Sequence, residues 1–426
     1  MRILYLSLLA ALAYGQEAQR AFEKVPFDQW LKEGEGARIH WSMRVIPAHL
    51  TEFQRFGTAL VVEIDGDEFV KRSKPGQLAV FLEVRDAKGQ PYRNYRPMVL
   101  PNESKTASVA TVSVAQFFFV MPGDFSVAAV IYDTESQEHS LKRTKVKVPE
   151  LAHDPLPGSW KNLPSVEFLA PADAPDGWYK PEITSRLSLP VKSEKPVCVE
   201  VVVNESPSET PTGRPGRMSR RNMGNLVPAL KVISQMEIGN GSMNVTLLDL
   251  ERRRVSFKQE EVSTLDWTRL RGALIENDPD KIDVHALENR EQNAQFFVSE
   301  IRKLLESTES NGDVPLGLSA EPARVLIVLS GPMSFAKGQD LRPIEATPEP
   351  GTRVYYIRYY PPRPGFRMGP SGAHSPMISG RGRGVPIEDL LARTLKPLGP
   401  RTFDVTTPEE FRSALATIIS EISRLK

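Results

Sequence analysis

Cysteine is almost absent. The 426 residues contain one, Cys198, so an intrachain disulfide and a cysteine-caged zinc ion are both excluded. That residue opens the apolar run 198–203 and reads as a small buried hydrophobe rather than a reactive thiol. Net charge is nearly absent as well: 54 Lys and Arg stand against 53 Asp and Glu. A uniformly basic nucleic-acid binder is therefore excluded, and electrostatic recognition is left to local patches. Only six histidines occur, His40, His49, His139, His153, His285 and His374, and none are at metal-ligand spacing. The chain has no Gly-x-Ser-x-Gly elbow, no Walker loop and no His-Glu-x-x-His helix. No apolar stretch reaches the roughly 20 residues that a bilayer-spanning helix needs.

What is abundant is proline. There are 36, roughly 8% where about 5% is usual, which predicts long loops and many strand ends. With 40% apolar and 25% charged residues the balance is that of a globular protein. The length predicts two or three domains. At the start, Arg2 precedes an apolar run over 3–13, and Ala13 and Gly15 hold the −3 and −1 spacing of a signal-peptidase site. Residues 1–15 are expected to be a cleaved secretory signal, and the mature chain to be exported, periplasmic or extracellular.

Residues 38–149 alternate with period two and contain no convincing helix. Strands are expected over 39–46, 58–64, 77–85, 107–115, 117–121, 124–132 and 145–148, with turns at Asp65-Gly66, 86–89 and 134–139. Seven short strands in about 110 residues predict an all-β sandwich. Eight prolines fall in 149–190, which disfavours a long helix and predicts a surface linker over 150–195, with one added strand near 185–189. From 196 to 426 the pattern is α/β. Continuous apolar strands at 197–203 and 324–330 suit the centre of a parallel sheet. A strand over 243–250 with a hairpin mate at 254–258, strands over 353–359 and 402–405, and helices near 222–236, 287–307, 386–395 and 408–425 complete a doubly wound sheet. Thr407-Pro-Glu-Glu410 has the composition of a capping box.

Doubly wound sheets bind at the carboxyl ends of their strands. The first such end reads Asn204-Glu-Ser-Pro-Ser208. With that phrase, the element order and the closing segment 403–415, the second half resembles a von Willebrand factor A-like domain. The first half resembles the immunoglobulin-like sandwiches of exported bacterial proteins, on strand spacing and the phrase 122–128, without the Cys–Trp–Cys core of antibody domains. The first resemblance implies an Asp-x-Ser-x-Ser metal motif for a hard octahedral ion, Mg2+ or Mn2+. Here Asn204 replaces the aspartate, while Ser206 and Ser208 keep the hydroxyls. Ser330 stands where a later strand end would carry a second carboxylate, and the middle-loop segment 283–289 offers no threonine. The expectation is a vestigial hydroxyl pair with no cofactor. If a metal did bind, its ligands would be Asn204, Ser206 and Ser208.

Two loops at the same edge are basic. Arg214, Arg217, Arg220 and Arg221 follow the first strand with no acid over 211–221. Arg363, Arg367, Arg381 and Arg383 lie in 361–384, again with no acid. Arginine forks suit carboxylate, phosphate and sulfate. The alternative is that both are simply solvated loops. The triple 252–254 is expected at an exposed hairpin turn. The whole reads as an exported, non-enzymatic binding or envelope-assembly protein whose partner is another protein or an acidic surface polymer. A metal-dependent adhesin is one alternative. An exported hydrolase using the same edge is another, but it lacks a visible nucleophile and base.

Overall fold

The computed structural model describes residues 18–36, 38–72, 77–98, 111–169, 183–206, 219–276, 292–306, 322–333, 344, 352–360 and 389–425; within 219–233 side chains are described from Leu226 on, and within 267–276 up to Leu274. The expected signal segment 1–15 lies outside them. The chain divides into two compact units. One comprises 1–154 with 160–187, the other 155–159 with 188–426. The segment read as a linker is thus shared between them.

The first unit begins with a helical turn over 18–23 and helix α1, Phe27–Glu33. Strands β1 (Trp41–Leu50) and β2 (Phe56–Ile64) are followed by the five-residue helix α2, Gly66–Val70, in a stretch where no helix was expected. Asp65 starts it by accepting the Asp67 N–H. Then come β3 (Leu78–Arg85), β4 (Pro91–Pro97), β5 (Val112–Val120), β6 (Gly123–Asp133), β7 (His139–Val148) and β8 (Val166–Phe168). They form two four-stranded antiparallel sheets, in the orders β1-β2-β5-β8 and β4-β3-β6-β7. β1 runs beside β7 at one margin and β4 beside β8 at the other. Within the described residues the two strands read at 107–115 and 117–121 form one strand, β5, while 107–110 lie outside the described residues.

β3 is buried on both faces, which its period of two explains. Ala79 and Phe81 pack with Val130 and Leu141 under Phe22, Phe27 and Trp30, while Val80, Leu82 and Val84 point the other way. The N-terminal segment is therefore part of this core. The β3–β4 hairpin closes through Asp86, whose Oδ1 accepts the N–H of Lys88 (3.0 Å) and Gln90 (2.9 Å), with Gly89 at φ +80°.

The second unit contains β9 (Leu189–Val191), β10 (Val197–Asn204), α3 (Ser219–Ile233), β11 (Met236–Ile238), β12 (Gly241–Asp249), β13 (Arg254–Gln259), α4 (Trp267–Glu276), α5 (Asn293–Glu306), β14 (Ala323–Ser330), β15 (Arg353–Tyr359), α6 (Leu390–Leu395), β16 (Arg401–Val405) and α7 (Pro408–Ile422). Its main sheet has the order β13-β12-β10-β14-β15-β16. Every pair is parallel except the edge hairpin β12/β13, and β9 pairs with β11 in a separate small sheet. This is an α/β domain. On one face Val202, Leu248, Leu326, Val328, Val354 and Tyr356 pack against Phe297 and Ile301 of α5 and Leu391 and Leu395 of α6. On the other, the Tyr359 ring lies 5.7 Å from Phe411 of α7. The capping box is formed: Thr407 accepts the Glu410 N–H, and the Glu410 carboxylate accepts that of Thr407. Gly241 begins β12 at φ +143°, against Val197, and a Cβ there would lie 1.9 Å from the Val197 carbonyl oxygen.

Candidate functional site

The strand order reverses between β10 and β14. That makes their carboxyl ends the switch point at which open α/β sheets leave a crevice. Asn204 ends β10 and Ser330 ends β14, and both are buried. The sequence placed these two residues together, and they are in contact: Asn204 Nδ2 donates to Ser330 Oγ at 2.9 Å and to Met333 Sδ at 3.1 Å. Asn204 Oδ1 accepts the Ser206 N–H at 3.1 Å. The Ser330 hydroxyl donates to the Gly331 carbonyl at 2.7 Å.

Ser206 is buried too and turns toward β12. Its Oγ accepts the Leu250 N–H at 2.7 Å and lies 3.4 Å from Asp249 Oδ1. Asp249 in turn accepts from Arg252, through the backbone at 3.1 Å and the guanidinium at 2.9 Å. The arginine triple at 252–254 therefore does more than mark an exposed turn. Arg252 closes the hairpin through Asp249, and Arg253 donates to Asn293 at the start of α5 at 3.1 Å.

A second cluster continues the row on the other side of Ser330. Sequence reasoning missed it as a site. Tyr356 and Arg358 sit two apart on β15 and share a face, and the parallel register sets Arg358 beside Ser330. The Tyr356 hydroxyl lies 3.1 Å from Asp389 Oδ2 and 3.4 Å from the Gly331 carbonyl. Burial and the negative charge of Asp389 hold this phenol protonated, well above the ordinary tyrosine range. Arg358 donates to Asp389 Oδ2 at 3.0 Å and to Asp404 Oδ1 at 2.7 Å. Asp389 Oδ1 caps α6 through the Ala392 N–H at 3.4 Å and takes the Met333 N–H at 3.2 Å. The signal that could have found this cluster was the alternation in β15 together with a carboxylate just before a helix.

The remaining expected residues are not placed. Ser208, Arg214, Arg217, Arg381 and Arg383 lie outside the described residues, as does 283–289. Arg220 and Arg221 fall in α3, where their side chains are not described. Of the residues that the resemblance implies as ligands, the described ones, Asn204, Ser206 and Ser330, offer no carboxylate. Asn204 turns N–H groups toward Ser330, and the oxygens of Asn204 and Ser206 each accept a backbone N–H. A hard cation is commonly held by carboxylates, with carbonyls and water completing its shell. Among the described residues no cluster of three or more His, Cys, Asp or Glu side chains is arranged to hold a metal ion.

A separate pocket lies on the α5 face of the sheet, lined by Cys198, Glu200, Leu304, Leu305, Arg324, Val325, Leu326 and Thr352. Glu200 accepts from Asn244 Nδ2 at 2.6 Å. Burial raises its carboxyl above the ordinary glutamate range and outweighs that hydrogen bond; burial also raises the Cys198 thiol, with the charge of Glu200 adding to it.

No family model matches the chain, and no curated protein matches it. Among solved structures, the ArnB paralog VWA2 from Sulfolobus acidocaldarius is similar at 9% identity and a TM-score of 0.26, over 80% of this chain and 54% of that one. The chain thus spans about half the length of that structure. A structural-genomics target, SoR45, is similar at 14% identity and a TM-score of 0.16, over 28% of this chain and 94% of the other. At these identities and scores neither likeness fixes fold or function. Among the described residues no helix is long and apolar enough to cross a membrane.

Proposed function

We propose that this is an exported, non-enzymatic binding or envelope-assembly protein. In this reading an immunoglobulin-like sandwich is joined to a von Willebrand factor A-like domain that binds another protein or an acidic surface polymer at its carboxyl edge without a metal. The observation that carries it is the 2.9 Å contact between Asn204 and Ser330 at the switch point. The two positions at which the resemblance implies metal-binding carboxylates are bonded to each other instead. The order strand, helix, hairpin, helix, strand, strand, helix, strand, helix, on which the resemblance rests, is the order of the second unit among the described residues, with β9, β11 and α4 added. The arginines of 211–221 and 361–384 follow β10 and β15, two parallel strands of one sheet. They supply guanidinium forks for carboxylate, phosphate or sulfate groups.

The test is binding of the mature protein to immobilised polyglutamate and to a sulfated polysaccharide, at 50 and 200 mM salt. One variant carries Arg214, Arg217, Arg220 and Arg221 changed to Glu, and a second carries Arg381 and Arg383 changed to Glu. The expected outcome is salt-sensitive binding that both variants lose. Turnover of ester or phosphate substrates, with no binding to either polymer, would replace this reading with that of a hydrolase.

A further inference from the structure

We propose that the carboxyl edge carries its own cation, with the Arg358 guanidinium doing the work that a divalent ion does in a metal-binding edge of this kind. The proposal deepens the reading of this edge as a metal-free binding edge and rests on it. Three observations lead to it. First, the positions expected to hold an ion are closed by hydrogen bonds among Asn204, Ser206 and Ser330. Second, a positive charge of the chain itself lies beside them in the sheet register: Arg358 is the β15 partner of Ser330. Third, that charge gathers carboxylates from separate elements, as an ion would. Its Nη1 lies 3.0 Å from Asp389 Oδ2, and its Nε and Nη2 lie 2.7 and 2.6 Å from Asp404 Oδ1.

The two carboxylates are unequal. The Asp389 side chain is 4% exposed and that of Asp404 56%, so Asp389 is the one that fixes the edge. Besides Arg358 it takes the Tyr356 hydroxyl, the Met333 N–H after β14 and the Ala392 N–H at the start of α6. Buried without a cation it would carry an uncompensated charge, and the guanidinium, with its fixed planar fork, is suited to prevent that. Through Tyr356 and Gly331 the Arg358–Asp389 pair reaches the strand end that holds Ser330, one hydrogen bond from Asn204. Arg358 is therefore a positioning residue for the switch point. It holds two strand ends and a helix start in one arrangement and needs nothing from solution.

The experiment is thermal unfolding of the full mature chain with EDTA, Mg2+ or Mn2+, for the wild type and for Arg358→Gln. The wild type should melt within about 1 °C of the same temperature in all three. Arg358→Gln should melt roughly 5 °C lower or more, and should regain part of the loss with Mn2+ or Mg2+, because Asp389 and Asp404 are then left without their cation. A wild-type shift of several degrees with either ion overturns the proposal, and this arm needs no variant to fold. A variant that melts like the wild type overturns it too. A variant that melts lower but ignores both ions reduces Arg358 to an ordinary ion pair and likewise overturns it. None of these readings involves partner binding, so failure here is separable from failure of the proposed function.

Discussion

Each unit holds a half-buried glutamate, Glu167 in the first and Glu200 in the second, and the two respond to protons in opposite directions. In the first unit Glu167 on β8 accepts from Arg55, from the Ser185 hydroxyl and from both the backbone (2.9 Å) and hydroxyl (2.9 Å) of Thr184. Burial alone would raise its pKa, but the charge of Arg55 and these hydrogen bonds outweigh it and hold the carboxyl below its ordinary range. In the second unit Glu200 accepts from the Asn244 amide and, at 3.7 Å, the Cys198 thiol, with only a lysine's charge nearby, and burial wins. The difference is the guanidinium in contact with Glu167 and the larger number of its donors. It also separates two uses of polar groups. In the antiparallel sheets the Arg55–Glu167 pair staples an irregular segment, 184–185, to a strand. In the α/β sheet the described polar groups form a row along one edge, from Asp249 through Ser206, Asn204, Ser330 and Tyr356 to Asp389 and Arg358.

The contrast can be broken most forcefully at Arg55. Its side chain is 4% exposed, and Arg55→Ala leaves the Glu167 carboxylate without its cation. The expected cost is about 3–5 kcal/mol, read by urea unfolding. A loss below about 1 kcal/mol would show that the staple is ornamental. At the base of the second unit's sheet the close approach is between backbones. Gly241→Ala drives a Cβ into the Val197 carbonyl at a positive φ. It is expected to cost about 3 kcal/mol, and an unchanged midpoint would sink the claim that β10 and β12 need that close approach.

Asn204→Asp sharpens the comparison at the edge. It removes the donor to Ser330 and Met333 and buries an acceptor in its place, for about 1–3 kcal/mol. Because the new carboxyl is most easily accommodated protonated, its penalty should shrink as pH is lowered. A penalty independent of pH would argue against a buried charge. The smallest effect is the slope of stability with pH. Glu167 has a depressed folded-state pKa, so its contribution is present above the ordinary glutamate value near 4.5 and is lost as pH falls through the lower folded value. Glu200 has a raised one, so stability is lost as pH rises from about 4.5 through the higher folded value. Glu167→Gln should flatten the acid limb and Glu200→Gln the limb above it. Matching slopes in the two variants would erase the distinction.

Much of this was legible in residue order. Apolar runs gave β10 and β14, alternation gave β2, β3 and β6, and the Thr407 phrase gave the start of α7, because burial and capping leave local signatures. β4 escaped because its residues 91–97 are proline, asparagine, arginine and tyrosine, with no apolar alternation. It is a strand because it lies against β3. β8 was hidden by the surrounding prolines, and α1 by its brevity: Phe22, Phe27 and Trp30 are buried by Phe81 and Leu141, more than 45 residues away in sequence. At the candidate site, Asn204, Ser206 and Ser330 were readable from a short phrase and a strand end. Asp389 and Arg358 were not, because the parallel register brings 330 and 358 together and the start of α6 adds 389.

The chain passes between its units three times, after 154, 159 and 187. Trp160 donates to the Gln54 carbonyl in one unit, while Arg412 of α7 grips the Leu156 carbonyl (2.9 Å) and Ser159 hydroxyl (2.8 Å) in the other. Any single cut between 154 and 188 therefore leaves one unit missing a piece: ending at 154 discards β8, and beginning at 188 strips α7 of its Leu156 and Ser159 partners. In the terms of recombination, these halves cannot be traded by one crossover, and a shuffled descendant would have to inherit the braid whole.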